Sequence, residues 1–176
     1  PNSVADPNTN IIIPFEETKV WGEPELALVI GKKIKNSSLK EAEEALFGYT
    51  IANDITCHNI NKWDHHLARS KAADNFCPLG PWIETDFNPN KKEIKGFQNG
   101  KLIRKGNLND RFFSEPKLLQ LLSSWITIEP GDVILTGTPG RIGERFFLSE
   151  GTIYRCEIEG LGLLENSFSQ INGAKG

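Results

Sequence analysis

The chain has 176 residues, 38% hydrophobic and 24% charged, the size and balance of one globular domain with room for a sizeable core. A formal charge of -3 and an isoelectric point near 5.7 argue against a nucleic-acid binder, and the longest apolar run, Leu26–Ile30, is strand-sized rather than membrane-spanning. Cys57, Cys77 and Cys156 form no C-x-x-C pair and are odd in number, so free thiols in a reducing, cytoplasmic compartment are expected.

In chain order, NIIIP (Asn10–Pro14) reads as a short strand stopped by proline, and Glu25–Gly31 as a strand apolar on both faces beyond its first residue. Ser38-Leu-Lys-Glu41 is a capping box opening a short helix that runs to about Phe47. GYTIANDIT (Gly48–Thr56) is a strand that turns polar at its end, and Asn59–Ser70 a helix or an ordered loop. CPLGPW reads as a Leu-Gly turn flanked by prolines, followed by a strand over Trp82–Glu84. Asn99-Gly100 between two alternating segments predicts a type I′ hairpin. Ser114-Glu-Pro116 starts a helix reaching about Trp125. GDVIL is a buried strand before a glycine-rich stop, and TIYRCEIEGLGLL supplies one or two last strands. The expected fold class is α+β, mostly β, as a single domain over 1–176. The absence of methionine and the turn-rich start, PNSVADPNTN, lead us to expect a fragment lacking its first segment.

Glu23 and Glu25 are two apart, so in an extended chain they share a face. Like charges that close need water, cations or a metal, although two solvated glutamates at a strand mouth would also account for the pattern. Asp54 closes the apolar strand YTIAND and is a candidate third carboxylate, the alternative being an Asp turn residue. Three carboxylates without histidine or cysteine would select a hard divalent cation, Mg²⁺ or Mn²⁺, with Ca²⁺ as a further candidate. Lys71 could clamp a substrate carboxylate or be a surface cation. Thr136-Gly-Thr-Pro139 permits close backbone approach to a ligand, with a hydroxyl from Thr138. His58, His65 and His66 show no metal-ligand spacing.

Taken in order, GEPELALVIGK (22–32), GYTIANDIT (48–56), RSKAADNFCPLGPWI (69–83), NG (99–100), PGDVILTGTP (130–139) and EIEGLGLLEN (157–166) resemble the fumarylacetoacetate hydrolase family over nearly the whole chain. The resemblance implies a rolled mixed β-sheet with a few short helices and a homodimer. It implies Mg²⁺ or Mn²⁺ on Glu23, Glu25 and Asp54, with Lys71 as a catalytic residue and Thr138 near the substrate. Expected substrates are 2-oxo acids, diketo or hydroxymuconate-type. The expected chemistry is C–C bond hydrolysis, decarboxylation or isomerisation through a metal-stabilised enolate, placing the chain among hydrolases, isomerases or lyases of aromatic catabolism.

This chain departs from the family pattern in three ways. The His-x-x-Glu pair of the family's hydrolases, which lies upstream of the segment matching PNSVADP, is not in this sequence. His58 stands where many members have arginine, and Arg141 where glycine is common. Both are therefore candidate substrate-binding residues, with Arg141 replacing a charge lost at position 58. The alternative reading is a non-enzymatic, β-rich cation- or sugar-binding module.

Overall fold

The computed structural model describes residues 2–14, 19–58 and 67–171. The strands are β1 (Val4–Ala5), β2 (Asn10–Ile13), β3 (Val20–Trp21), β4 (Pro24–Ile30), β5 (Leu46–Asn53), β6 (Thr56–Cys57), β7 (Cys77–Glu84), β8 (Glu93–Gln98), β9 (Lys101–Asn107), β10 (Val133–Leu135), β11 (Ile153–Ile158) and β12 (Gly162–Gln170). Among the described residues, three short α-helices, α1 (Leu39–Ala45), α2 (Ala68–Lys71) and α3 (Glu115–Trp125), and a 3-10 turn over Leu108–Asp110 complete the α+β, mostly β architecture. No helix among the described residues is long and apolar enough to cross a membrane.

One sheet has the order β1-β7-β5-β4-β10 and the other β2-β12-β11-β8-β9; β3 and β6 form a separate ribbon. Both sheets are mixed, since β1 runs parallel to β7 and β2 parallel to β12 while the remaining pairs are antiparallel. On β4 the even residues Leu26, Leu28 and Ile30 enter the main core with Ile51 of β5 and with Ile94, Tyr154, Cys156, Leu164 and Phe168 of the other sheet. The alternation of strand side chains puts the odd residues, beginning with Glu25, on the opposite face. Ala27 and Val29 on that face are buried too, as the two-sided apolar reading of this strand requires.

Several local signals work as the sequence suggests. The Ser38 hydroxyl accepts from the Glu41 N–H while the Glu41 carboxylate accepts from the Ser38 N–H, closing the capping box on α1. Asn99 and Gly100 both have positive φ, 49° and 77°, as a type I′ turn between β8 and β9 demands. Helix α3 ends at Trp125 and carries Pro116 in its first turn.

Two expectations are corrected. The predicted Leu-Gly turn in CPLGPW is strand: β7 runs unbroken from Cys77 to Glu84. Both prolines fit because pairing asks little of them. Pro78 faces the two-residue edge strand β1, and the ladder to β5 is irregular between its Glu84 and Gly80 pairs, where Pro81 sits. The first helix also stops at Ala45, and Leu46 and Phe47 already belong to β5. Asn59–His66, which includes His65 and His66, lies outside the described residues; of the expected helix or loop there, only the single turn α2 is described.

Candidate metal centre

The site is built where β4 begins and β5 ends. Pro24 pairs with Asn53, so the residues just beyond the ladder, Glu23 and Asp54, become neighbours. Two hydrogen bonds lock that junction: Glu23 N–H donates to Asn53 Oδ1 (2.9 Å) and Asp54 N–H to the Glu23 carbonyl (2.9 Å). From the other sheet, the Tyr154 hydroxyl donates to the Gly22 carbonyl at 3.0 Å. A Cβ on Gly22 would lie 2.5 Å from that ring, so this position needs glycine for close approach rather than for its dihedrals.

Carboxylate oxygens of Glu23, Glu25 and Asp54, one from each, lie within 4.8 Å of one another. These three residues would hold a single cation through oxygen ligands at roughly 2.0–2.6 Å. The Lys71 ammonium, delivered by α2, bonds to Asp54 Oδ2, to the Thr56 hydroxyl at 2.9 Å and to Glu23 Oε2 at 3.4 Å. The Thr56 hydroxyl also lies 3.2 Å from Glu23 Oε2 and 3.1 Å from the Asp54 carbonyl. Glu25 Oε2 accepts from the Gly137 N–H at 2.6 Å, which ties the loop after β10 to the cluster. Gly137 has φ of 99°, a left-handed conformation that glycine accepts without strain.

Electrostatics follow from crowding and burial. Glu25 is only 5% exposed, and its carboxyl is pushed up to about 7, first by burial, with the Gly137 hydrogen bond pulling it down and the Asp54 charge adding to the rise. Burial also raises Asp54, against the pull of Lys71. Burial alone would lower Lys71, but its hydrogen bond to Asp54 and the charges of Asp54 and Glu23 outweigh this and leave it raised, a firmly held ammonium. The Cys77 thiol is pushed to about 11 by burial and then by the Asp54 and Glu25 charges, and the converging group is made of the three carboxylates without it. The donor set is thus all hard oxygen and fits Mg²⁺, Mn²⁺ or Ca²⁺.

The remaining predicted residues fall as follows. Thr138 Oγ1 is buried without a hydrogen-bond partner, and Thr138 lines a cleft of about 400 Å³ with Gly137, Asn107 and Arg111. Arg141 is exposed and forms a backbone bridge with Arg104, at a small recess shared with Trp21 and Arg145. The structure does not bring His58 to the carboxylates by any hydrogen bond among the described residues; its N–H donates to the Lys19 carbonyl (2.8 Å) and its side chain is exposed.

Sequence reasoning missed Asn53, Thr56, Trp21 and Arg104. Asn53 and Thr56 flank Asp54 and could have been found by asking what holds the ends of two strands together. Trp21 donates from Nε1 to Glu23 Oε1 (3.0 Å), and Arg104 Nη2 reaches the same oxygen (3.1 Å) across 81 positions of sequence, a pairing that local pattern does not signal.

The profile of the fumarylacetoacetate (FAA) hydrolase C-terminal family matches residues 1–169. The mitochondrial oxaloacetate tautomerase fahd2 of Xenopus laevis is 37% identical over 174 residues, covering 94% of this chain and 54% of that protein. The crystal structure of 5-carboxymethyl-2-hydroxymuconate delta-isomerase from Mycobacterium smegmatis matches with a TM-score of 0.91 at 34% identity, covering 98% of this chain and 67% of that one. Maleylpyruvate hydrolase from Sphingobium sp. SYK-6, solved with manganese(II) and pyruvate, matches with a TM-score of 0.84 at 28% identity, covering 96% and 62%. The chain spans 65%, 60%, 54% and 64% of the length of four curated relatives. The profile match across nearly the whole chain, on a fold shared with these enzymes, shows that the chain belongs to the fumarylacetoacetate hydrolase family.

Proposed function

We propose that this chain is the catalytic domain of a divalent-cation-dependent enzyme that acts on 2-oxo acids and moves a proton at the carbon beside the 2-oxo group, as an isomerase or tautomerase. C–C bond hydrolysis and decarboxylation are the neighbouring chemistries, because each also leaves an electron pair at that carbon. The observation that carries the reading is the convergence of Glu23, Glu25 and Asp54 oxygens within 4.8 Å, beside a lysine held as an ammonium. The manganese and pyruvate bound in the related maleylpyruvate hydrolase support it.

In this reading Glu23, Glu25 and Asp54 hold Mg²⁺ or Mn²⁺, which when bound supplies Lewis-acid stabilisation to negative charge developing on the substrate. Lys71 keeps its proton on Nζ and neutralises an anionic substrate oxygen. Thr138 donates from its otherwise unpartnered Oγ1 to the substrate carboxylate. Arg141 receives a second anionic group of a diacid. The protein works as a homodimer.

The test is a turnover screen of the metal-stripped protein against oxaloacetate, acylpyruvates and hydroxymuconate-type diacids, with Mg²⁺ or Mn²⁺ restored. Turnover that disappears on stripping and returns with the cation is expected. Turnover indifferent to chelation would remove the metal from the account. Failure with every oxo acid in the presence of cation would favour the binding-module reading, which leaves Lys71 and the Thr138 hydroxyl without a role.

A further inference from the structure

A second cation of the protein's own enters the carboxylate cluster from β9. Arg104 is 8% exposed, and its guanidinium forks. Nη2 lies 3.1 Å from Glu23 Oε1, while Nη1 donates to the carbonyl of Pro139 at 2.7 Å. One rigid side chain therefore joins a candidate cation ligand to the loop that carries Thr138.

Both ends of this strut are independently braced. Glu23 Oε1 also accepts from Trp21 Nε1 at 3.0 Å, so that oxygen has two donors. The other oxygen, Oε2, is the one that faces Lys71 and Thr56. On the loop side, a Cβ on Gly106 would sit 2.7 Å from Pro139 Cβ, so the loop rests directly on the β9 backbone. Just beyond, the Ile142 N–H donates to the Ile103 carbonyl at 2.7 Å, and residues 104 and 141 form an antiparallel bridge. The loop is thus fastened to β9 on both sides of the Arg104 contact.

Charge by itself gives Arg104 no reason to be here if the cluster collects a cation. Three ionised carboxylates carry -3, and Lys71 already supplies +1; a second fixed positive charge repels an incoming divalent ion. What a guanidinium offers instead is geometry, because its N–H groups point in fixed, separate directions. A lysine would supply the charge without the fork.

We propose that Arg104 is a positioning residue of the cation site: it holds Glu23 by Oε1, which fixes the orientation of that carboxylate toward Glu25 and Asp54, and it sets the Thr138 loop at a fixed distance from that ligand. The proposal rests on the reading of Glu23, Glu25 and Asp54 as cation ligands. It assigns Arg104 a role opposite in sign to its charge. Removing a like charge should tighten cation binding; losing the strut should weaken it.

The experiment is calorimetric titration of Mn²⁺ into metal-stripped wild-type protein, Arg104→Lys and Arg104→Gln, with circular dichroism and Tm recorded for each. Mn²⁺ affinity about 10-fold weaker than wild type is expected in both variants, the size of loss typical when a partner of a metal ligand is removed. Affinity within twofold of wild type, or tighter binding in Arg104→Gln, overturns the proposal and leaves the carboxylate site standing. Wild-type protein that binds no Mn²⁺ overturns both together. Should neither variant fold, a crystal structure of the wild-type Mn²⁺ complex decides. Glu23 bound through one oxygen with Arg104 still on Oε1 supports the strut, and Glu23 bound through both oxygens with Arg104 displaced refutes it.

Discussion

A glutamate at 5% exposure, facing two other carboxylates, is an expensive residue unless something positive is meant to join it. Glu25 makes that cost measurable. Burial pushes its carboxyl up to about 7 in the folded protein from an ordinary 4.5, so between these pH values the folded state holds a proton that the unfolded chain has lost. The contribution to stability is full below pH 4.5 and disappears as pH rises through about 7, with an upper limit of roughly 3 kcal/mol. Metal-stripped protein is therefore expected to lose Tm between pH 5 and pH 7.5 by more than the Glu25→Gln variant does. Equal slopes in the two proteins would show that Glu25 does not titrate in this window.

The other site residues separate by what they lose. Asp54→Asn should abolish both Mn²⁺ binding and turnover. Lys71→Met should lower kcat/KM about 10²–10³-fold while leaving Mn²⁺ affinity unchanged or tighter, as expected for a group that stabilises substrate charge rather than the cation. Loss of Mn²⁺ affinity in Lys71→Met would place the lysine's importance in holding the carboxylates together. For Arg141→Ala, KM for a diacid should rise about 2- to 5-fold with little change for a mono-acid; unchanged kcat/KM for both would end its assignment to the substrate.

At this scale the sequence was legible where spacing carries geometry. The i, i+2 rule put Glu23 and Glu25 on one face, and the polar end of an apolar strand put Asp54 at a mouth. Arg104 and Trp21 were not legible, because what brings them to Glu23 Oε1 is the packing of one sheet on the other, and no local pattern encodes that.

The element that most constrains the site is the start of β4. Two strands end there, and three groups hold them: Asn53 from the same sheet, Tyr154 from the other, and the backbone of Asp54. Because the ring of Tyr154 is fully buried, it has nowhere to go when Gly22 gains a side chain. Gly22→Ala is expected to cost about 1–3 kcal/mol from overpacking and to weaken Mn²⁺ binding through displacement of Glu23. Chemical denaturation with a parallel Mn²⁺ titration checks both; a stable variant with intact affinity would mean that Tyr154 moves freely. The strands themselves were readable from alternation and from Asn99-Gly100. The misreading of β7 has a plain cause: Pro78 and Pro81 normally argue against a strand, and only its short neighbour β1 and irregular ladder with β5 make them tolerable, neither of which a single segment reveals.

For the whole molecule, the two mixed sheets and their shared core were legible as a class, α+β and mostly β, but the sheet order was not, since parallel pairs such as β2 with β12 join residues more than 150 positions apart. That closure matters to the chemistry: the sheet carrying the carboxylates and the sheet carrying Arg104 and Tyr154 must pack on each other before the site exists. The surface also leaves Phe112 at 92% and Trp125 at 88% exposure, and the proposed homodimer is to be tested by mass rather than read from these side chains. Analytical ultracentrifugation is expected to give twice the monomer mass, and a monomer at all concentrations would set the dimer aside.

The central claim is that Glu23, Glu25 and Asp54 together hold a divalent cation. Anomalous diffraction from a Mn²⁺-soaked crystal tests it without reference to any substrate. One strong peak bonded to an oxygen from each of the three carboxylates is predicted; a map with no peak among them, or with manganese only elsewhere on the surface, would contradict the account.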